Sequence, residues 1–136
     1  MVNINITEEI PMAIALKIPV CNIISCENIT QGENKLYICN PFTAAFGGFM
    51  KKFYTYMVIQ GIPNGITKFK IQILNPDRIL IKESEESMIY VEENVIRAKT
   101  KWQNINFAKK GEYTVAVLLK CNNEFDIIGS SGIFII

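Results

Sequence analysis

The sequence predicts an all-β fold, a two-sheet sandwich of about 7–9 short strands. Three observations carry that prediction. Apolar and polar residues alternate with period two in several segments, the pattern of a strand with one buried face. Turn chemistry recurs about every 8–12 residues, the spacing of sandwiches. Near the C-terminus, NINFAKKGEYTVAVLL ends one strand at Phe107, turns through Gly111 and opens the next at Tyr113. In Greek-key sandwiches a tyrosine at that point bonds back to the backbone of the corner, and Tyr113 is the candidate.

The elements follow in chain order. MVNINITEEI has two glutamates and no basic residue, so it lacks the charged start of an export signal. Residues 1–10 read as a flexible or edge-strand N-terminus. The apolar stretch Ile10–Ile24 is broken by Pro11, Lys17, Pro19 and Asn22, which excludes a membrane helix. Val20–Thr30 and Lys35–Cys39 read as strands around the polar turn Gln31-Gly32-Glu33-Asn34. Phe53–Gln60 is a long aromatic and aliphatic strand closed by Ile62-Pro63-Asn64-Gly65. In Thr67–Leu74, Phe69, Ile71 and Ile73 point one way and Lys68, Lys70 and Gln72 the other. Asn75-Pro76-Asp77-Arg78 suits a type I turn, and ILIKES resumes the strand to complete a hairpin. Met88–Thr100 fits either a strand or a short helix at 88–98. Trp102–Phe107 reads as a strand with Gln103, Ile105 and Phe107 on one face. Tyr113, Val115, Val117 and Leu119 line one side of the next. After the turn at Cys121–Glu124, Phe125–Ile128 and Gly132–Ile136 form a strand interrupted at GSSG by a bulge or tight bend. No Gly/Ser linker divides the chain, so residues 1–136 read as one domain.

The order of these blocks, from VCNIISCENITQGENKLYICNPF to the INFAKKGEYTVAVLL corner, resembles a bacterial domain family of unknown function. The likeness spans about Val20 to Ile136. It implies an immunoglobulin-like sandwich and brings no activity with it. The chain departs from the family where Asp77-Arg78 stands for the usual Asp-Gly, and where NPF replaces a Gly-bearing strand end.

Composition narrows function mostly by exclusion. With 49% hydrophobic and 20% charged residues, the 136-residue chain can bury a sizeable core. A net charge of +1 gives no long-range field toward polyanions. There is no histidine, which excludes Ser-His-Asp and Cys-His catalysis and His-ligated metals. Cys21, Cys26, Cys39 and Cys121 form no CxxC pair and read as free thiols of a cytoplasmic protein. The glutamates at 83, 85, 86, 92 and 93 read as wet surface. Gly47-Gly48 lacks the context of a phosphate loop. No catalytic residue, metal site or cofactor is expected, and no enzyme activity. Ile, Asn and Lys, all with AT-rich codons, dominate, and arginine appears only at Arg78 and Arg97, the usage of a low-GC bacterium or phage. Lys51, Lys52, Phe53, Tyr54 and Tyr56 mix charge with aromatics as single-strand binders do. The neutral balance and scarce arginine argue against nucleic acid as the partner.

One stretch stands apart. NPFTAAFGGFMKKF, Asn40–Phe53, puts apolar surface where a connection is expected. Pro41 and the Gly pair argue against a regular strand, and Phe42 and Phe46 would share one side of a short helix within 41–50. Three roles are open. The stretch caps the core, contacts a protein partner or a second copy, or lines a small-molecule pocket. The leading expectation is a non-enzymatic protein–protein interaction or assembly module. Its contacts would be Phe42, Phe46, Phe49 and Met50, with Gly47 and Gly48 shaping the loop. The alternative is a small-ligand binder, with Lys52, Tyr54 and Tyr56 giving polar contacts under the same loop.

Overall fold

Alternation decides which side of each strand is buried, and here it produces two sheets closed over one core. The computed structural model describes residues 19–136. The expectation for residues 1–10 lies outside them. The strands are β1 (Val20–Gly32), β2 (Lys35–Pro41), β3 (Ala44–Ala45), β4 (Gly48–Gln60) and β5 (Gly65–Leu74). They continue as β6 (Leu80–Glu83), β7 (Ser87–Val91), β8 (Val95–Phe107), β9 (Gly111–Cys121) and β10 (Glu124–Ile135). One sheet has the order β2-β1-β4-β8. The other runs β3-β10-β9-β5-β6, with β7 also paired to β5. The chain crosses between sheets at β2–β3, β3–β4, β4–β5, β7–β8 and β8–β9. That wiring, antiparallel except for β3 on β10, is the Greek-key arrangement of an immunoglobulin-like sandwich.

The core is where the alternation places it. Phe69, Ile71 and Ile73 of β5 face Phe53, Met57 and Ile59 of β4 across the sandwich, joined by Tyr113, Val115, Val117 and Leu119 of β9. Trp102 donates its indole N–H to Thr55 Oγ1 at 2.9 Å, so the buried polar pair on β8 and β4 is satisfied. The tyrosine corner is present. Tyr113 Oη donates to the Lys109 carbonyl at 2.7 Å and accepts from the Lys109 N–H at 2.9 Å. Gly111 carries the corner with φ of 126°, and a Cβ there would stand 3.0 Å from Pro76. A side chain at Gly111 would meet both strain and crowding.

The turn at Asn75–Arg78 closes as expected, with the Arg78 N–H donating to the Asn75 carbonyl at 2.8 Å. The Asn75 side chain accepts from the N–H groups of Asp77 and Ile79. Arg78 has a φ of 67°, the left-handed conformation that a glycine would take freely at this position. The expected break at GSSG lies one residue earlier: Ile128 is the bulge, seen as a register shift between Ile127 and Gly129, and Gly129–Gly132 stay paired with β9 inside a continuous β10.

Four expectations change. Among the described residues there are ten strands, because the two-residue β3 is an addition to the expected set and β7 is distinct from β8. Neither 41–50 nor 88–98 forms a helix; no helix occurs among the described residues. In the first segment, Thr43 and Ala45 accept hydrogen bonds from the N–H groups of Phe134 and Ile136, which draws the backbone into the β10 ladder. In the second, Glu93 and Asn94 both have positive φ, the geometry of a type I′ turn, and end β7. The Asn40–Phe53 stretch is partly regular, since Pro41 ends β2 and Gly48–Phe53 opens β4. Pro41 is tolerated there because β2 is an edge strand. Finally, Gln103 is exposed while Trp102, Ile105 and Phe107 are buried. Asn104 has a φ of 54°, and the alternation changes phase across it.

Candidate functional site

The Phe-rich stretch divides between core and surface. Phe42 turns inward and meets Phe53 edge-on, ring centroids 5.7 Å apart. Ala45 and Met50 pack against the same core. Phe46 and Phe49 turn outward and are 83% and 61% exposed. Gly47 and Gly48, with φ of 27° and 72°, reverse the chain between them, and open space surrounds both. Of the six residues expected at a partner surface, Phe42 and Met50 therefore serve as a lid on the end of the sandwich. Phe46 and Phe49 form the exposed part, with the glycines as the hinge of the turn.

The pairing of β3 with β10 adds residues that the sequence pattern did not single out. Ala44 and Phe134 are register partners in a parallel ladder. Gly47 N–H donates to the Ile136 carbonyl at 3.3 Å, which extends the pairing beyond β3. Phe46 and Ile136 are next in that register, so Phe46, Phe134 and Ile136 share the outer face of the six-stranded sheet. Phe134 and Ile136 are 47% and 49% exposed. The signal was present in GIFII, where inward Ile133 and Ile135 leave Phe134 and Ile136 outside. What the sequence could not supply was their neighbour.

A cleft lies beneath the stretch, and its lining differs from the one expected of a ligand pocket there. A cleft of about 600 Å³ is lined by Phe42, Ala44, Ala45, Met50 and Phe53, with Glu27, Asn40, Lys51 and Lys52 as its polar side chains. Asn40 donates to Glu27 Oε1 at 2.8 Å across its rim. Lys52 is at the cleft as expected, but Tyr54 and Tyr56 are not. Phe53 and Thr55 point into the core, so strand alternation sends both tyrosines to the opposite face of the sheet.

The four cysteines are free thiols. Burial raises the Cys21 thiol above its ordinary pKa. Burial also raises that of Cys26, opposed by a backbone hydrogen bond at Asn28 and reinforced by Cys39. Glu83 is held below the usual carboxylate range by a hydrogen bond from Gln72 and by Lys70. Among the described residues no group of three or more Cys, Asp or Glu is placed to hold a metal ion.

No family model matches the chain. No curated protein matches it either. Solved structures resemble it in shape. The CARDB domain of a Pyrococcus furiosus protein, in complex with di-metal ions, aligns at a TM-score of 0.44 and 10% identity, over 88% of this chain and 90% of that one. An immunoglobulin-like protein from Pseudomonas aeruginosa aligns at 0.40 and 13%, over 86% and 97%. The immunoglobulin-like assignment rests on the strand order and the tyrosine corner. Function has to be read from the chain's own surface.

Proposed function

We propose that the chain is a non-enzymatic protein–protein interaction module that self-associates through the outer strip made by Phe46, Phe134 and Ile136. The observation that carries this reading is Phe46, 83% exposed on a turn built by two left-handed glycines. A large aromatic side chain held in water beside two further apolar side chains is the composition of an interface centre. A two-fold contact would set this apolar strip against its own copy. β3 is too short to recruit a strand by edge pairing, so side-chain faces make the contact.

Native mass spectrometry tests this. The expected result is a multiple of 15.4 kDa for the wild type and a folded monomer for Phe46→Asp. Because Phe46 contributes little to the core, that variant keeps its circular dichroism spectrum. A bare monomer at micromolar concentration overturns self-association. The cleft beside Phe42 supports a second reading, a small-molecule binder, since its volume and apolar lining fall within the range of ligand sites. A reproducible extra mass of small-molecule size, present in wild type and in Phe46→Asp alike, favours that reading.

A further inference from the structure

Register fixes what the outer face of the four-stranded sheet displays. With Phe53, Thr55, Met57 and Ile59 turned inward, β4 shows Lys52, Tyr54, Tyr56 and Val58 to the outside. Their partners on β8 are Gln103, Lys101, Lys99 and Arg97. On the other flank, Tyr54, Tyr56 and Val58 pair with Cys26, Ile24 and Asn22 of β1. Opposed residues in an antiparallel pair share a face. One surface therefore gathers Lys52, Arg97, Lys99, Lys101 and two tyrosines, and no Asp or Glu occurs in these rows.

The four cations are exposed, and neither ion pair among the described residues uses them. Lys52 Nζ stands 6.0 Å from the centroid of the Tyr54 ring. Acidic residues flank the face: Glu27 shares the cleft beside Phe42 with Lys52 at one end, and beyond the open edge of β8 Glu83 and Glu85 line a cleft with Lys99 and Lys101. The sign of the surface changes across that strand. The net charge of +1 conceals this, because it averages a basic sheet face with an acidic β6–β7 segment.

We infer that this face binds single-stranded nucleic acid, with Arg97, Lys99 and Lys101 along the phosphates and Tyr54 and Tyr56 under the bases. Alternate residues on a strand stand about 6.8 Å apart. That is close to the spacing of successive phosphates in an extended single strand, so β8 offers one cation per phosphate. The tyrosines lie one strand inward, on a central strand of a four-stranded antiparallel sheet, where unpaired bases can stack. A duplex keeps its bases paired and stacked, so it would leave the two rings without a base face to meet. An acidic peptide would use the cations and leave the rings without a role. This surface is on the opposite sheet from the Phe46 strip, so either can fail without the other.

Fluorescence anisotropy with a labelled oligothymidylate of about 15 nucleotides tests the full chain. The expected result is binding whose logarithm falls with the logarithm of salt at a slope of roughly −2 to −3, for three or four phosphate contacts. Lys99→Glu with Lys101→Glu abolishes it. Tyr54→Ala and Tyr56→Ala each weaken it by about fivefold or more, whereas Tyr54→Phe retains it. The Phe variant keeps the ring, so it separates lost stacking from lost folding. No binding at low salt overturns the inference. So does binding that inorganic polyphosphate displaces as well as the oligonucleotide does and that the tyrosine variants leave unchanged. Tighter binding of an acidic peptide than of the oligonucleotide assigns the face to a protein and overturns it equally.

Discussion

Tyr113 shows how one side chain sets the geometry of a corner. Its ring is buried against Phe107, centroids 4.8 Å apart at 86°, and its hydroxyl bonds both backbone groups of Lys109. The hydroxyl replaces water for an N–H and a C=O that the turn leaves without a strand partner. Lys109 also pairs with Asp77, tying the corner to the β5–β6 turn, but that pair is exposed and contributes little. Tyr113→Phe keeps the ring and removes both hydrogen bonds. It should lower stability by about 1–3 kcal/mol, the cost of leaving partly buried backbone groups unmet. Urea denaturation should show the loss as a lower midpoint with an unchanged slope. A variant as stable as wild type would mean that solvent satisfies Lys109 equally well.

At the scale of elements, the bulge in β10 brings the two sheets together at one edge. Gly129 sits at the register shift, and a Cβ on it would lie 2.7 Å from Cys21 Cβ on β1. The bulge thus sets how closely the sheets approach. Gly129→Ala should destabilise by about 1–3 kcal/mol through overpacking. Cys21→Gly should recover part of that, since only loss of the Cys21 Cβ removes the contact, and a double-mutant cycle should show coupling. Additive effects would place the strain elsewhere. The element also shows what alternation reveals. β5 was legible because it keeps strict period two and ends in recognisable turn residues, and β9 because Tyr113, Val115, Val117 and Leu119 recur on one face, although Ala116 and Leu118 are buried as well. β3 was not, because two residues carry no period and its pairing with Phe134 and Ile135 joins segments about ninety residues apart. The helix alternatives failed for the same reason, since local spacing in 41–50 and 88–98 is ambiguous and non-local ladders decide it. At Asn104 a left-handed residue reset the phase, and an asparagine, though prone to that conformation, does not by itself mark which strand position adopts it.

At the scale of the whole molecule, the sequence exposed the apolar stretch but not its division. Phe42 and Phe46 look alike as letters, and only the closing of the sandwich sends one inward and the other out. The basic face was illegible in a sharper sense. Lys52 and Tyr54 are local, but Arg97, Lys99 and Lys101 join them through the β4–β8 ladder, about forty-five residues on. Strand order also determines cooperativity. Trp102 meets Phe53, Phe53 meets Phe107, and Phe107 meets Tyr113, with centroids 6.4, 6.0 and 4.8 Å apart. That run of rings crosses from the four-stranded sheet into the six-stranded one, so neither sheet can open without exposing the other's core. Unfolding should therefore be a single transition. The fluorescence of Trp102, the only tryptophan, reports the first sheet, and far-ultraviolet circular dichroism reports both. Urea curves from the two probes should superimpose, with a common slope of about 1–3 kcal/mol per molar. A Trp102 transition that precedes the loss of circular dichroism would mean that the six-stranded sheet persists alone, and that the aromatic run does not couple the two layers.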